Sequence, residues 1–209
     1  MRVIMNSHRS VCAPPPLHLL KTFLPLLTRY GNLAEVEHLH RLAADCVSVM
    51  QRQVGGWKTA PTAGRIVERV AEPSFGGLLA AIYEIEAEAH GKERFFVKDN
   101  GVITHCAELI AIYPDARFAL VVRDPRDVAV SWIKSPAHAG GVRAAAARWA
   151  VEQQAALHFF LLAPATRARV HVLYYEDLVA DPEPQLKGLC ATLGVEFDPA
   201  MLSFYETRD

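Results

Sequence analysis

The stretch Phe118-Ala-Leu-Val-Val-Arg-Asp-Pro-Arg-Asp-Val-Ala-Val-Ser131 decides the fold class. Phe118–Val122 is an uninterrupted apolar run, the pattern of a strand covered on both faces in a parallel sheet. Asp124 is a helix-capping residue type and Pro125 suits a first helical turn, so the strand is expected to pass directly into a helix. Arg123 then lies at the carboxyl edge of a strand, where open α/β sheets bind ligands, and its guanidinium presents a fork of donors matched to phosphate oxygens. Ser131, further along the helix, offers a hydroxyl to the same anion. The plain alternative is that Arg123 pairs with Asp127 while Ser131 bonds back onto the carbonyl four residues earlier.

Outward from that stretch, residues 2–5 read as a first strand ending in a polar loop at 6–10. Residues 17–27 carry a helical pattern behind Pro14, Pro15 and Pro16. Asn32-Leu-Ala-Glu35 has the form of a capping box opening a helix to about Gln53. Gly55, Gly56 and Pro61 mark loops. A helix is expected over 75–89, a strand over 94–97, helices over 104–112 and 143–162, a strand over 170–174, and a helix over 184–193 ending at Gly194. Strands alternating with helices predict an α/β fold, three layers α/β/α around a central parallel sheet.

The 209 residues, 51% of them hydrophobic, suffice for one sizeable core. A formal net charge of −1 gives no electrostatic reason for nucleic-acid or membrane-surface binding, so any basic site must be local. Cys12, Cys46, Cys106 and Cys190 lie far apart, which argues against a zinc cage or a disulfide framework and for a reducing, cytoplasmic setting. The apolar runs are too short for a membrane span, and the expected first strand leaves no room for a signal peptide.

Arg123-Asp-Pro-Arg-Asp-Val-Ala-Val-Ser131 resembles the 3′-phosphate-binding segment of sulfotransferases that use 3′-phosphoadenosine 5′-phosphosulfate (PAPS), in the bacterial and tyrosyl-protein branch of the family. Tyr175-Glu-Asp-Leu178, followed by Asp181-Pro182 and Leu193-Gly-Val-Glu-Phe-Asp-Pro199, is similar to a second family segment. Phe95-Phe-Val-Lys-Asp-Asn100 and Arg148-Trp149 also resemble family positions, although a tryptophan on a long helix is more often core packing. The resemblance spans Arg2 to Tyr205. It implies one P-loop NTPase-like sulfotransferase domain over residues 1–209, either without the nucleotide-covering C-terminal segment of many relatives or cut short at Asp209.

By that resemblance Arg123 and Ser131 hold the 3′-phosphate, Tyr175 contacts the nucleotide, and Lys98 faces the active cleft. The acidic pair Glu176 and Asp177 is chiefly structural. The family's 5′-phosphate loop, often Arg-Ser-Gly-Thr-Thr, corresponds to Arg9-Ser10-Val11-Cys12-Ala13. Val11 replaces the glycine, and the three prolines behind it remove amide donors. The donors left are the Arg9 guanidinium, the Ser10 hydroxyl and the amides of Ser10, Val11, Cys12 and Ala13.

Sulfuryl transfer needs an acceptor hydroxyl in line with sulfur, a base for its proton and positive charge at the bridging oxygen, without a metal. Arg9, the loop amides and Lys98 are the expected stabilisers. For the base, Glu37 and His38 are set ahead of Glu35, which capping would occupy, with His40 in the same stretch and His8 as a further option. The acceptor is a hydroxyl of a small molecule, glycan or peptide, with no nucleic-acid partner. Two other readings stand: a non-catalytic sulfotransferase-like binding or assembly module, favoured by the altered loop, and a small-molecule kinase. The kinase would need a magnesium carboxylate, for which Asp99 and Asp124 are nearest, and the chain has no Gly-x-x-x-x-Gly-Lys-Ser/Thr loop.

Overall fold

Residues 2–5, expected as a strand, lie in helix α1 (Arg2–Asn6), whose turns are closed by Met5 N–H to the Met1 carbonyl and Ser7 N–H to the Val3 carbonyl. Three apolar residues carry too little periodicity to separate a strand from a buried helical turn, and burial of Ile4 and Met5 favours the turn. The computed structural model describes residues 1–52, 56–99, 102–135, 140–162 and 164–206. These fall into two units, Met1–Val102 with Asp198–Asp209, and Ile103–Phe197.

In the first unit, β1 (Val11–Cys12) is followed by α2 (Leu19–Phe23), a 3-10 segment (Leu24–Arg29), α3 (Val36–Gln51), α4 (Ala63–Arg69), α5 (Phe75–Ala89) and β2 (Arg94–Phe95). The two strands pair in parallel, Val11 with Arg94 and Cys12 with Phe95. The capping box at 32–35 does not form. The Asn32 side chain accepts from the Ala34 amide in a turn, and Glu35 becomes the N-cap without a side-chain bond. Sequence reading missed α4, whose single fully buried residue, Ile66, gives almost no period, although Thr62 caps it through the Arg65 amide.

Helix α5 matches its expected limits because Ser74 accepts from the Gly77 amide and apolar residues then continue on most faces. Gly77 is required there, since a Cβ would collide with the Glu72 carbonyl oxygen. The core of this unit centres on Met5, Leu42, Ile66, Leu78 and Ile82. Inside it, the Glu86 carboxylate accepts from the amides of Lys58 and Thr59 and from the Thr59 hydroxyl, and it meets His90 Nε2 at 3.0 Å.

In the second unit, α6 (Cys106–Ile112) leads to β3 (Phe118–Val122), α7 (Pro125–Lys134), α8 (Gly141–Leu162), β4 (Val170–Tyr174), α9 (Tyr175–Ala180) and α10 (Pro182–Leu193). β3 and β4 pair in parallel from Phe118 opposite Val170 to Val122 opposite Tyr174. The α/β class with parallel strands is therefore as expected, the described strands pairing two by two. β3 is not covered on both faces: Val121 is 39% exposed, as is Val172 on β4, which pairs with Leu120. Asp124 caps α7 through the Arg126 amide, with Pro125 in the first turn, and Gly194 ends α10 in the left-handed conformation, both as read from sequence. Among the described residues no helix is long and apolar enough to cross a membrane.

Candidate functional site

Arg123 is the residue that directly follows β3, and its backbone is held from two sides. Its carbonyl accepts from Trp149 Nε1 on α8 at 3.3 Å, and the next amide, that of Asp124, donates to Glu176 Oε1 on α9 at 3.0 Å. The guanidinium carbon lies 4.4 Å from the centroid of the Tyr175 ring, a cation–π contact. Its Nε is buried and has no hydrogen-bond partner. A buried donor on a charged group left unpaired costs free energy.

Asp124 is engaged by Arg126, whose Nη2 lies 2.5 Å from Oδ2. The side-chain bond from Arg126, then its amide, pull the Asp124 carboxyl down to about 2. The alternative pairing of Arg123 with Asp127 is replaced by the stack on Tyr175. Ser131 is exposed on α7, seven residues past the cap, hence two turns along the same face as Asp124. Tyr175, expected as a nucleotide contact, supports Arg123 with its ring. Glu176 has the structural task that the family resemblance implies, and Trp149 does more than fill the core. Arg148 pairs with Glu152 along α8 at 2.6 Å.

Residues 9–13 are placed otherwise than expected. They run from a helix into a strand, whereas a phosphate cradle runs from a strand into a helix. Four of their five amides are already used: Arg9 N–H donates to Asp198 Oδ2 at 2.8 Å, Ser10 N–H to His8 Nδ1 at 3.1 Å, Val11 N–H to the His8 carbonyl at 3.4 Å, and Ala13 N–H to Asn6 Oδ1 at 2.9 Å. Val11, Cys12 and Ala13 are buried, and burial raises the Cys12 thiol to about 11. The Arg9 side chain is exposed, as is that of Lys98, which follows β2 by three residues.

Of the expected bases, Glu37 and His38 lie on α3 and His8 precedes β1. Glu37 is exposed in the first turn of α3. His38 is half-buried, with Nδ1 3.1 Å from the Asn32 carbonyl and 3.6 Å from Glu35. His8 is buried beneath the loop it braces. The sequence reading passed over His18, whose Nδ1 lies 2.9 Å from Asp99 Oδ1. A histidine between leucines gives no local signal of that pairing.

A family model described as the sulfotransferase family matches residues 1–199, across both units. No curated protein matches the chain. Among solved structures, the chain is similar to the sulfotransferase domain from the curacin biosynthetic pathway, with 22% identity and a TM-score of 0.63 over all of this chain and 73% of that one. It is also similar to the sulfotransferase domain from the Synechococcus PCC 7002 olefin synthase, with 23% identity and a TM-score of 0.65 over all of this chain and 72% of that one. At these identities the likeness concerns the fold.

Proposed function

Since the chain belongs to the sulfotransferase family, we propose that it transfers a sulfuryl group from PAPS to a hydroxyl acceptor, with Arg123 and Ser131 on the 3′-phosphate of the nucleotide. The observation that carries this reading is the buried, unbonded Nε of Arg123, stacked on Tyr175 at the carboxyl end of a parallel strand. A guanidinium with an unused N–H suits a phosphate dianion, which accepts two parallel bonds from such a fork. The clamp by Trp149 and Glu176 fixes the backbone before the ligand arrives, so little order is lost on binding.

In the transfer, the acceptor oxygen approaches sulfur opposite the bridging oxygen of the phosphosulfate. The new S–O bond forms as the old one breaks, and 3′-phosphoadenosine 5′-phosphate (PAP) leaves with the electron pair. Holding the nucleotide by its far end converts binding energy into alignment of the reacting end. We assign the exposed Arg9 and Lys98 side chains to the departing charge, and single alanine variants test each. The experiment for the function itself is transfer of radiolabelled sulfuryl from PAPS to a panel of alcohols and phenols. Wild type labels at least one acceptor, and Arg123→Ala raises KM for PAPS about 10²-fold, the cost of removing one partner of a hydrogen-bonded charge pair. Absence of labelled product across the panel contradicts the proposal.

A further inference from the structure

The first unit has an open cavity of about 320 Å³. Arg2, Lys58 and His90 line it together with Ala13, Pro14 and Trp57, and among the described residues no aspartate or glutamate does. A hollow with cations at its wall and apolar groups between them favours a ligand that carries negative charge on an apolar body.

The residues that matter most are fixed by their neighbours. Gly56 has φ 84° and lets the chain pass against Pro15, where a Cβ would lie 2.3 Å from Pro15 Cγ; beside it, Trp57 Nε1 donates to the Pro15 carbonyl at 3.0 Å. Tyr83 meets the indole with ring centroids 5.6 Å apart and is itself stacked on Phe95. Buried Glu86 secures two more residues, because its Oε1 accepts from the Lys58 amide at 2.6 Å and meets His90 Nε2 at 3.0 Å. The Lys58 ammonium donates to the Ala89 carbonyl at 2.5 Å, and Arg2 Nη1 donates to the Ala13 carbonyl at 3.3 Å. A carbonyl orients a cation without cancelling its charge.

We propose that this cavity is a binding site for an aryl phosphate, with the head group on Lys58 and Arg2 and the ring against the Trp57 indole. A phosphate monoester carries about two negative charges at neutral pH, which matches two permanent cations, and its oxygens accept charge-assisted bonds from both. The held indole offers a flat apolar wall to an aromatic ring, and its place is set before the ligand arrives, so little order is lost on binding. The site is built wholly from first-unit residues and is independent of the sulfuryl-transfer reading.

The test is calorimetric titration of the full chain with phenyl phosphate, alongside phenol, which lacks the charge, and inorganic phosphate, which lacks the ring. Phenyl phosphate is expected to bind with a Kd at or below about 1 mM, and each control at least about tenfold more weakly. Lys58→Ala keeps the amide bond to Glu86 and is expected to weaken phenyl phosphate about tenfold, as is Arg2→Ala. Trp57→Leu is expected to bring it down to the affinity of inorganic phosphate, and Arg123→Ala to leave it unchanged. Denaturant unfolding of Lys58→Ala and Arg2→Ala, with midpoints close to wild type, separates loss of the site from loss of the fold. The proposal is overturned by the absence of saturable binding of phenyl phosphate, by binding that persists at full strength in both Lys58→Ala and Arg2→Ala, or by binding that disappears in Arg123→Ala. Loss of sulfuryl transfer or of PAP binding, by contrast, bears on the transferase reading alone.

Discussion

The guanidinium of Arg123 stacks over the ring of Tyr175, and the register of two strands brings them together. Because β3 and β4 run parallel with Val122 opposite Tyr174, the residues that follow each strand emerge side by side. One is the cation, the other its aromatic support, and the Glu176 bond to the Asp124 amide ties the two exits together.

Replacing Tyr175 by alanine is expected to weaken PAP binding about 3–10-fold, the size of a partly desolvated cation–π contact, and replacement by phenylalanine to leave it nearly unchanged. Calorimetric titration separates the two. A phenylalanine variant as weak as the alanine variant would assign the effect to the hydroxyl and contradict the stack.

Glu86 is predicted to be a stability residue. In Glu86→Ala two amides and a hydroxyl lose their acceptor inside the core, with a cost on the order of 3 kcal/mol. Denaturant unfolding should show a lower midpoint with the slope unchanged. A midpoint equal to wild type would mean that the 58–59 backbone finds another partner.

The acid side of the stability curve should report Asp124. Its carboxyl is lowered from 3.8 to about 2, chiefly by the side-chain bond from Arg126. A depressed carboxyl stabilises the fold above its unfolded value, and the contribution disappears as pH falls through the folded value. The stability difference between wild type and Asp124→Asn should therefore be constant above about pH 5 and shrink toward zero near about pH 2. A difference that grows on acidification would reverse the assignment.

None of the four cysteines is in a disulfide, and all are buried. Burial is the first cause that raises the thiols of Cys12 and Cys106 to about 11 and that of Cys46 to about 12. Ellman's reagent at neutral pH should react with four thiols only after denaturation, because the thiolate is the reactive form. Fast reaction in the native protein would show that a thiol is accessible.

What the sequence disclosed follows the range of the forces involved. The β3–Asp124–Pro125–α7 passage, the Ser74 start of α5 and the Gly194 end of α10 rest on neighbours within a few residues, and all were legible. Residues 2–5 were not, since a short apolar run fits either element. The amides of Arg9 and Ala13 are taken by Asp198 and Asn6, partners that no local pattern indicates. Asp198 shows the same balance: burial raises its carboxyl, but the Ala200 and Arg9 amides outweigh that and hold it below its ordinary value. Arg123 was legible as the end of a strand, whereas its support by Tyr175, and in the other unit the His18–Asp99 pair, depend on register and backbone conformation.

Calorimetric titration of PAP against AMP, on wild type and Arg123→Ala, tests the central claim most directly. The account predicts that wild type binds PAP at least about 30-fold more tightly than AMP, and that Arg123→Ala removes the difference, since a desolvated charge pair contributes 2 kcal/mol or more by order of magnitude. Equal affinities for the two nucleotides in wild type, or a preference for PAP that survives in Arg123→Ala, would contradict it.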